Sequence, residues 1–168
     1  MTEHFLASIS LPSSFDDASR IWMYQCDRDL TEQEILDINQ KLQGFITRWN
    51  THGKPVKGFA TVLFNRFILI MADESNFAVS GCSIDSSVAV IREIERKHQI
   101  DLFNRSNLAF LLNDSIVTLP LNEMTNAIKT GMVSANTLYF NNTIQYKQEW
   151  QSAWIVPVQQ TWLSKYLA

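Results

Sequence analysis

Residues 59–72 read Phe59-Ala60-Thr61-Val62-Leu63-Phe64-Asn65-Arg66-Phe67-Ile68-Leu69-Ile70-Met71-Ala72, two apolar runs separated by Asn65 and Arg66. Short runs this rich in β-branched and aromatic residues favour strands, and a two-residue gap between them favours a hairpin. Asn-Arg is a weaker turn pair than Asn-Gly, because arginine does not readily take positive φ. Both runs are apolar on both faces near their middles. The hairpin is therefore expected inside a layered structure, with helices on one face and some other element on the other.

Working outward, the clearest local signal lies upstream. Thr31 followed by Glu34 is a capping box, and Leu30 with Ile35 has the spacing of a hydrophobic staple. Ile35, Ile38, Leu42, Phe45 and Trp49 then repeat every three or four residues, which predicts a helix of about 17 residues with one apolar face. It stops at Asn50-Thr51-His52-Gly53, where Gly53 can take positive φ and Pro55 prevents continuation. Before it, Ile21–Cys26 reads as a strand. Residues 1–19 read as an irregular arm docked through Phe5, Leu6, Ile9 and Phe15.

Downstream, Asp73–Asn76 breaks the strand pattern and Ser80–Ser87 follows. A second helix is expected there, ending near His98, with Ser83 or Asp85 as its N-cap and Ile84, Val88, Ile91 and Ile94 as its inner face. Leu108–Leu112 and Ile116–Leu119 flank Asn113-Asp114-Ser115 as a further hairpin, and a short helix is expected between Asn122 and Gly131. Strand, helix, strand, strand, helix, strand is the β-α-β-β-α-β order of a ferredoxin-like antiparallel sheet. The expected fold is thus α+β, one domain over 1–168, with a core at about 20–120 and a C-terminal hairpin and helical extension at 121–168. In that extension Leu138–Phe140 reads as an edge strand. Tyr146, Trp150 and Trp154 fall four apart, as do Val158, Trp162 and Tyr166. Trp150, Trp154 and Trp162 need something to bury against: the open sheet face, a second copy in a homodimer, or an aromatic ligand groove.

With 46% hydrophobic residues the chain can build a real core, and a net charge of −3 leaves no basic field for general nucleic-acid binding. Cys26 and Cys82 give no disulfide framework. Met1–Ala7 lacks the basic region of a signal peptide, and no run approaches the roughly 18 apolar residues of a membrane span. These features predict a cytoplasmic protein without membrane or nucleic-acid partners.

The candidate chemistry gathers at Ser80, Gly81, Cys82, Ser83, Asp85, Ser86 and Ser87. Small polar residues at a strand-to-helix junction leave backbone N–H groups uncovered, and such a place can hold an anion or favour a thiolate. Two readings follow. In one, a non-enzymatic module holds a small anionic ligand there, with Arg66 or Arg105 as a clamp. In the other, Cys82 is the nucleophile of a thiol-dependent hydrolase or transferase. The second lacks an evident base: His52 sits in a turn after the first helix, and His98 lies four helical turns from Cys82, about 20 Å along the axis. Asp73, Glu74 and Asp85 match no calcium-loop pattern, and Cys26, Cys82 and three scattered histidines have no zinc-ligand spacing. No metal and no cofactor are expected.

Ile21–Tyr24, Phe45–Gly53, Arg66–Ile68, Met71–Glu74, Val79–Ser87 and Asp101–Arg105 together resemble a family of small uncharacterised proteins of Bacteroidetes, members of which often carry the label ABC transporter ATPase. The resemblance covers about residues 20–105, and the serine-cysteine block is its most specific part. It implies no activity. A P-loop requires Gly-x-x-x-x-Gly-Lys-Ser/Thr, whereas Gly53-Lys54 is followed by Pro55 with no glycine at the earlier position.

Overall fold

A computed structural model describes residues 9–168; Phe5 and Leu6, expected as docking points, lie outside the described residues. In chain order the elements are β1 (Arg20–Gln25), α1 (Glu32–Arg48), β2 (Asn50–Thr51), β3 (Lys54–Pro55), β4 (Lys57–Leu63), β5 (Phe67–Asp73) and α2 (Gly81–His98). There follow β6 (Asn107–Leu112), β7 (Ser115–Pro120), α3 (Met124–Lys129), β8 (Leu138–Phe140), α4 (Trp150–Ala153) and β9 (Ile155–Pro157), with short 3-10 turns before α3 and α4 and after β9.

The central hairpin forms, with its turn one residue earlier than expected. Phe64 and Asn65 take positive φ (51° and 55°), and Arg66 N–H closes the turn on Leu63 C=O at 3.0 Å. Positive φ is costly for phenylalanine. Here the ring is held by tertiary contacts, stacked 5.9 Å from Trp154 and edge-on to Phe140. The β6–β7 turn uses Asn113 and Asp114, also at positive φ, and needs no such support.

β5 is central in the first sheet, whose order is β1-β5-β4, and all seven of its residues are buried. Its alternate side chains go to two different layers. Ile68, Ile70 and Ala72 join Tyr24, Ile38, Leu42, Ile91 and Ile94 beneath α1 and α2. Phe67, Leu69 and Met71 join Ile21, Met23, Ala109, Phe140, Trp150 and Trp154, where the sheet meets a second one. That second sheet, ordered β7-β6-β8-β9, turns Leu108, Phe110 and Tyr139 outward, beneath α3 and the C-terminal 3-10 turns. The layers therefore run helix, sheet, sheet, helix. The α1 side chains also shield the outer edge of β4: Asn39 Oδ1 accepts from Val62 N–H, and Gln43 Nε2 donates to Ala60 C=O.

The mixed α and antiparallel β composition is as expected, and the ferredoxin-like strand order is corrected. In that fold the last strand lies beside the first in one sheet; here β6 pairs with β7 and β8 instead. The edge of β1 is occupied by residues 142–146. Gln145 C=O accepts from Ile21 N–H at 2.8 Å, Arg20 bridges to Tyr146, and Asn142 Nδ2 donates to Gln25 Oε1. With that edge taken, β6 is free to start the second sheet, which β8 and β9 from the C-terminal stretch complete.

The expected tail helices are shorter than their spacing suggests. α4 has four residues, and Trp162–Tyr166 is a 3-10 turn. Trp150 and Trp154 are buried with their rings stacked 4.3 Å apart, so both are spent on the interior between the sheets; Trp162 is 39% exposed.

Candidate functional site at the start of helix α2

α2 begins a turn before either N-cap expected from sequence. Ser80 is the cap: its hydroxyl oxygen accepts from Ser83 N–H at 3.2 Å. Ser83 is buried rather than exposed, and its hydroxyl donates to Asn50 C=O at 2.7 Å while lying 2.8 Å from the Ser80 hydroxyl. Ser80 N–H donates to Thr51 Oγ1, and the Trp49 indole N–H donates to Ser83 C=O at 2.8 Å. The inner face of α2 is Ser83, Ser87, Val90, Ile91 and Ile94, with Ile84 and Val88 only half-buried. Two serines on that face let the helix start lie close against the end of α1 and the β2–β3 turn. Their hydroxyls find partners, as buried hydroxyls must: Ser83 across the seam on Asn50 C=O, and Ser87 on Ile84 C=O of its own helix.

This seam leaves a cleft of about 350 Å³ outside it, walled by Phe45 and Arg48 from α1 with its C-cap Trp49, Asn50 from β2, His52 from the β2–β3 turn, and Cys82, Ser83 and Ser86 from α2 with its N-cap Ser80. Cys82 is an exposed free thiol. Gly81 beside it faces open space, since a Cβ there would meet nothing within 4 Å. The Ser86 hydroxyl donates to Cys82 C=O at 3.0 Å, which leaves its lone pairs to the cleft. His52 takes positive φ (50°) at the tip of the turn, next to Gly53 at 77°.

The electrostatics are one-sided. The positive end of α2, Arg48 and His52 face the cleft, and no carboxylate is among its walls. The opposing field comes from the C-terminal carbonyls of α1. Two of these are engaged: Ile46 C=O accepts from Trp49 N–H, and Arg48 C=O accepts from Asn50 Nδ2.

Several expected site residues lie elsewhere. Arg66 is buried at the far end of β5, a strand of about 20 Å. It clamps Asp29 Oδ1 through Nε (2.9 Å) and Nη2 (2.7 Å), fixing the hairpin turn against the loop before α1. Arg105 follows α2 and walls two other clefts. Asp85 is exposed and outside the cleft wall, and Ser87 is buried with its hydroxyl on Ile84 C=O. Ser80, Cys82, Ser83 and Ser86 are thus the part of the serine-cysteine block that shares one space.

What the sequence reading missed is the partner wall. Arg48 and the aromatic pair Phe45 and Trp49 were legible as the end of α1, yet nothing local says that this end faces the start of α2. His52 could be discounted as a turn residue only while that turn lacked a position; folded, it lines the space that Cys82 lines. His98 sits at the other end of α2, its Nε2 2.8 Å from Asp37 Oδ2.

Asp73 and Glu74 form no acidic cluster with Asp85. Burial works against the Asp73 charge, but Ser75, Asp16 N–H and Lys57 together hold its carboxyl well below the usual range, and Glu74 Oε1 accepts from Val79 N–H. Among the described residues no three His, Cys, Asp or Glu side chains are grouped to hold a metal ion, and no helix is long and apolar enough to cross a membrane. Compared with protein-family models, curated proteins and solved structures, the chain matches none of them.

Proposed function

We propose that the protein is a binding module for a small anionic ligand, held in the cleft between the end of α1 and the start of α2. The observation that carries this reading is the makeup of the walls: a positive helix end, Arg48 and His52 around about 350 Å³, with no carboxylate among them. Arg48 takes the clamping part that the sequence assigned to Arg66 or Arg105. The Cys82 thiol and the outward amides of Gly81 and Cys82 supply shorter-range contacts. Phe45 and Trp49 offer an apolar wall for the rest of the ligand.

Calorimetric titration with inorganic phosphate and with citrate at low ionic strength tests this. The expected result is saturable binding that weakens with salt and at least tenfold in Arg48→Gln. The Arg48 side chain is exposed and, among the described residues, hydrogen-bonds within its own helix, so the variant should fold as the wild type does. Absence of binding by both anions, or binding that Arg48→Gln leaves intact, would overturn the proposal.

A thiol-dependent hydrolase or transferase is the second reading, favoured by the exposure of Cys82 and by His52 lining the same cleft. His52 would accept the thiol proton as sulfur attacks the acyl carbon of an ester and return it to the leaving alcohol oxygen as the C–O bond breaks. Water or a second acceptor would then take the acyl group from the thioester. Turnover of a p-nitrophenyl ester that Cys82→Ser and His52→Gln both abolish would support it, and no release above buffer would remove it. A cytoplasmic setting belongs to either reading, supported by an accessible thiol left unpaired. A homodimer through the aromatic tail keeps Trp162 and Tyr146 as its exposed support. Kinship with the Bacteroidetes family rests on the Ser80–Ser87 block.

A further inference from the structure

Arg105 has no hydrogen bond or ion pair among the described residues, although its charge is felt at Tyr24. An arginine without a carboxylate partner is ordinary on an open surface, but this one stands between two clefts. Arg105, Asn142 and Thr143 wall both. The larger, about 300 Å³, is the notch left where residues 142–145 diverge from the edge of β1. Gln145 C=O takes Ile21 N–H at one end of the notch, and Asn142 reaches Gln25 at the other. By the two-residue alternation of a strand, the amide and carbonyl of Met23 point into the gap between these ties. The smaller cleft, about 90 Å³, is a ledge running to Tyr139 and Trp162.

The charges along this groove share one sign. Arg105 stands in the middle, Arg20 lines the notch, and Lys165 places its ammonium 5.4 Å from the Trp162 ring. Neither cleft has a carboxylate in its wall. Arg20 stands 3.9 Å from Glu74, a separation too long for a strong pair, and two carboxylates lie behind the walls with their oxygens on backbone amides: Glu149 Oε2 accepts from Gln145 N–H at 2.8 Å and Asp101 Oδ1 from Asn104 N–H at 3.1 Å. Trp162 is 39% exposed, in contrast to Trp150 and Trp154, and its ring is fixed edge-on against buried Tyr139 at 6.4 Å. A rigid, half-open indole at the end of a cationic groove offers a flat apolar contact beside an anion clamp.

We propose that this groove is a second binding site, for a small organic anion that carries a planar ring. Its carboxylate or phosphate is held by Arg105 with the Met23 amide, the Thr143 hydroxyl being spent on Asn141 Oδ1 at 2.6 Å, and its ring lies on the Tyr139–Trp162 ledge. The site is separate from the α2 cleft and does not depend on it. A nucleoside monophosphate and an aromatic carboxylate share this chemistry, so the probes are AMP, benzoate, inorganic phosphate and adenosine.

Each probe is titrated calorimetrically into the intact chain while the Trp162 indole N–H resonance is followed by NMR. AMP or benzoate should bind and shift that resonance, with adenosine and phosphate at least tenfold weaker; whichever acid binds tighter identifies the oxyanion. Binding read at the Trp162 resonance, which the α2 cleft does not touch, should weaken at least tenfold in Arg105→Gln and be restored in part by Arg105→Lys, whereas Arg48→Gln should leave that resonance shift unchanged. No binding by AMP or benzoate overturns the proposal, as does a titration that Arg105→Gln does not alter. Phosphate that moves the Trp162 resonance as tightly as AMP does removes the ring contact and overturns it equally. Loss of binding in Arg48→Gln but not in Arg105→Gln places the anion in the α2 cleft, which rejects this site while supporting the other.

Discussion

Cys26 lies beside the β4–β5 turn with no exposed surface, and burial pushes its thiol up to about 11 against a backbone hydrogen bond that pulls the other way; Asp27, 3.6 Å from the sulfur, adds to the rise. Cys82 opens onto the α2 cleft. A thiol reacts as its thiolate and only where reagent can reach it. Native protein treated with a disulfide reagent such as DTNB near neutral pH should therefore release one equivalent of chromophore, all of it lost in Cys82→Ser, and a second only after denaturation. A different residue-scale test concerns Gly58. A Cβ there would stand 2.9 Å from Trp49 Cε3 and 3.0 Å from Ile46 Cδ1, so the glycine lets β4 pass under the indole that walls the cleft. Gly58→Ala should destabilise by about 1–3 kcal/mol through overpacking, measured by urea denaturation, and an unchanged midpoint would mean that Trp49 is free to move. None of this closeness could be read from the sequence, where Gly58 is one glycine before an apolar run.

At the scale of elements, local rules governed what was legible. The capping box forms as read: Glu34 N–H donates to Thr31 Oγ1 and Thr31 N–H donates to Glu34 Oε2, and α1 runs Glu32–Arg48 as its periodicity predicts. Glu34 also receives both terminal nitrogens of Arg28 (2.9 and 2.7 Å), and these bonds lead in holding its carboxyl down at about 2. Since an unfolded glutamate titrates near about 4.3, this preference adds stability above that pH that is lost as pH falls from about 5 towards 2. Thermal melts should show a steeper loss over that window in the wild type than in Glu34→Gln, and parallel curves would refute the linkage. Thr31→Ala should cost about 1 kcal/mol at neutral pH. Helix α2 was less legible because its buried face carries serines where a hydrophobic periodicity expects leucine or isoleucine. Ser83 and Ser87 are interior only because Asn50 C=O and Ile84 C=O are there to receive them.

For the molecule as a whole, strand order was the hidden quantity. β6 alternates Leu108 and Phe110 against Ala109 and Leu111, apolar on both faces, so its pattern suits the edge of the first sheet and the middle of a second equally well. The choice is made more than thirty residues later, where residues 142–146 occupy the β1 edge and Trp150 and Trp154 fill the space between the sheets. Trp154 is fully buried against Phe64, Phe67, Phe140 and Trp150, and its indole N–H donates to Asn142 Oδ1 at 3.0 Å. One side chain thus touches the central hairpin, the second sheet and the strip that displaces β6. If this shared interior makes the layers a single cooperative unit, Trp154→Ala should lower stability by about 3–5 kcal/mol. Far-UV circular dichroism and fluorescence of the remaining tryptophans should then shift together along the urea axis. Separate transitions, with the helical signal of α1 and α2 unmoved while fluorescence melts early, would show instead that the first sheet and its helices stand without the second. The α2 cleft would then survive the mutation, and the Arg105 groove, built from both sheets, would not.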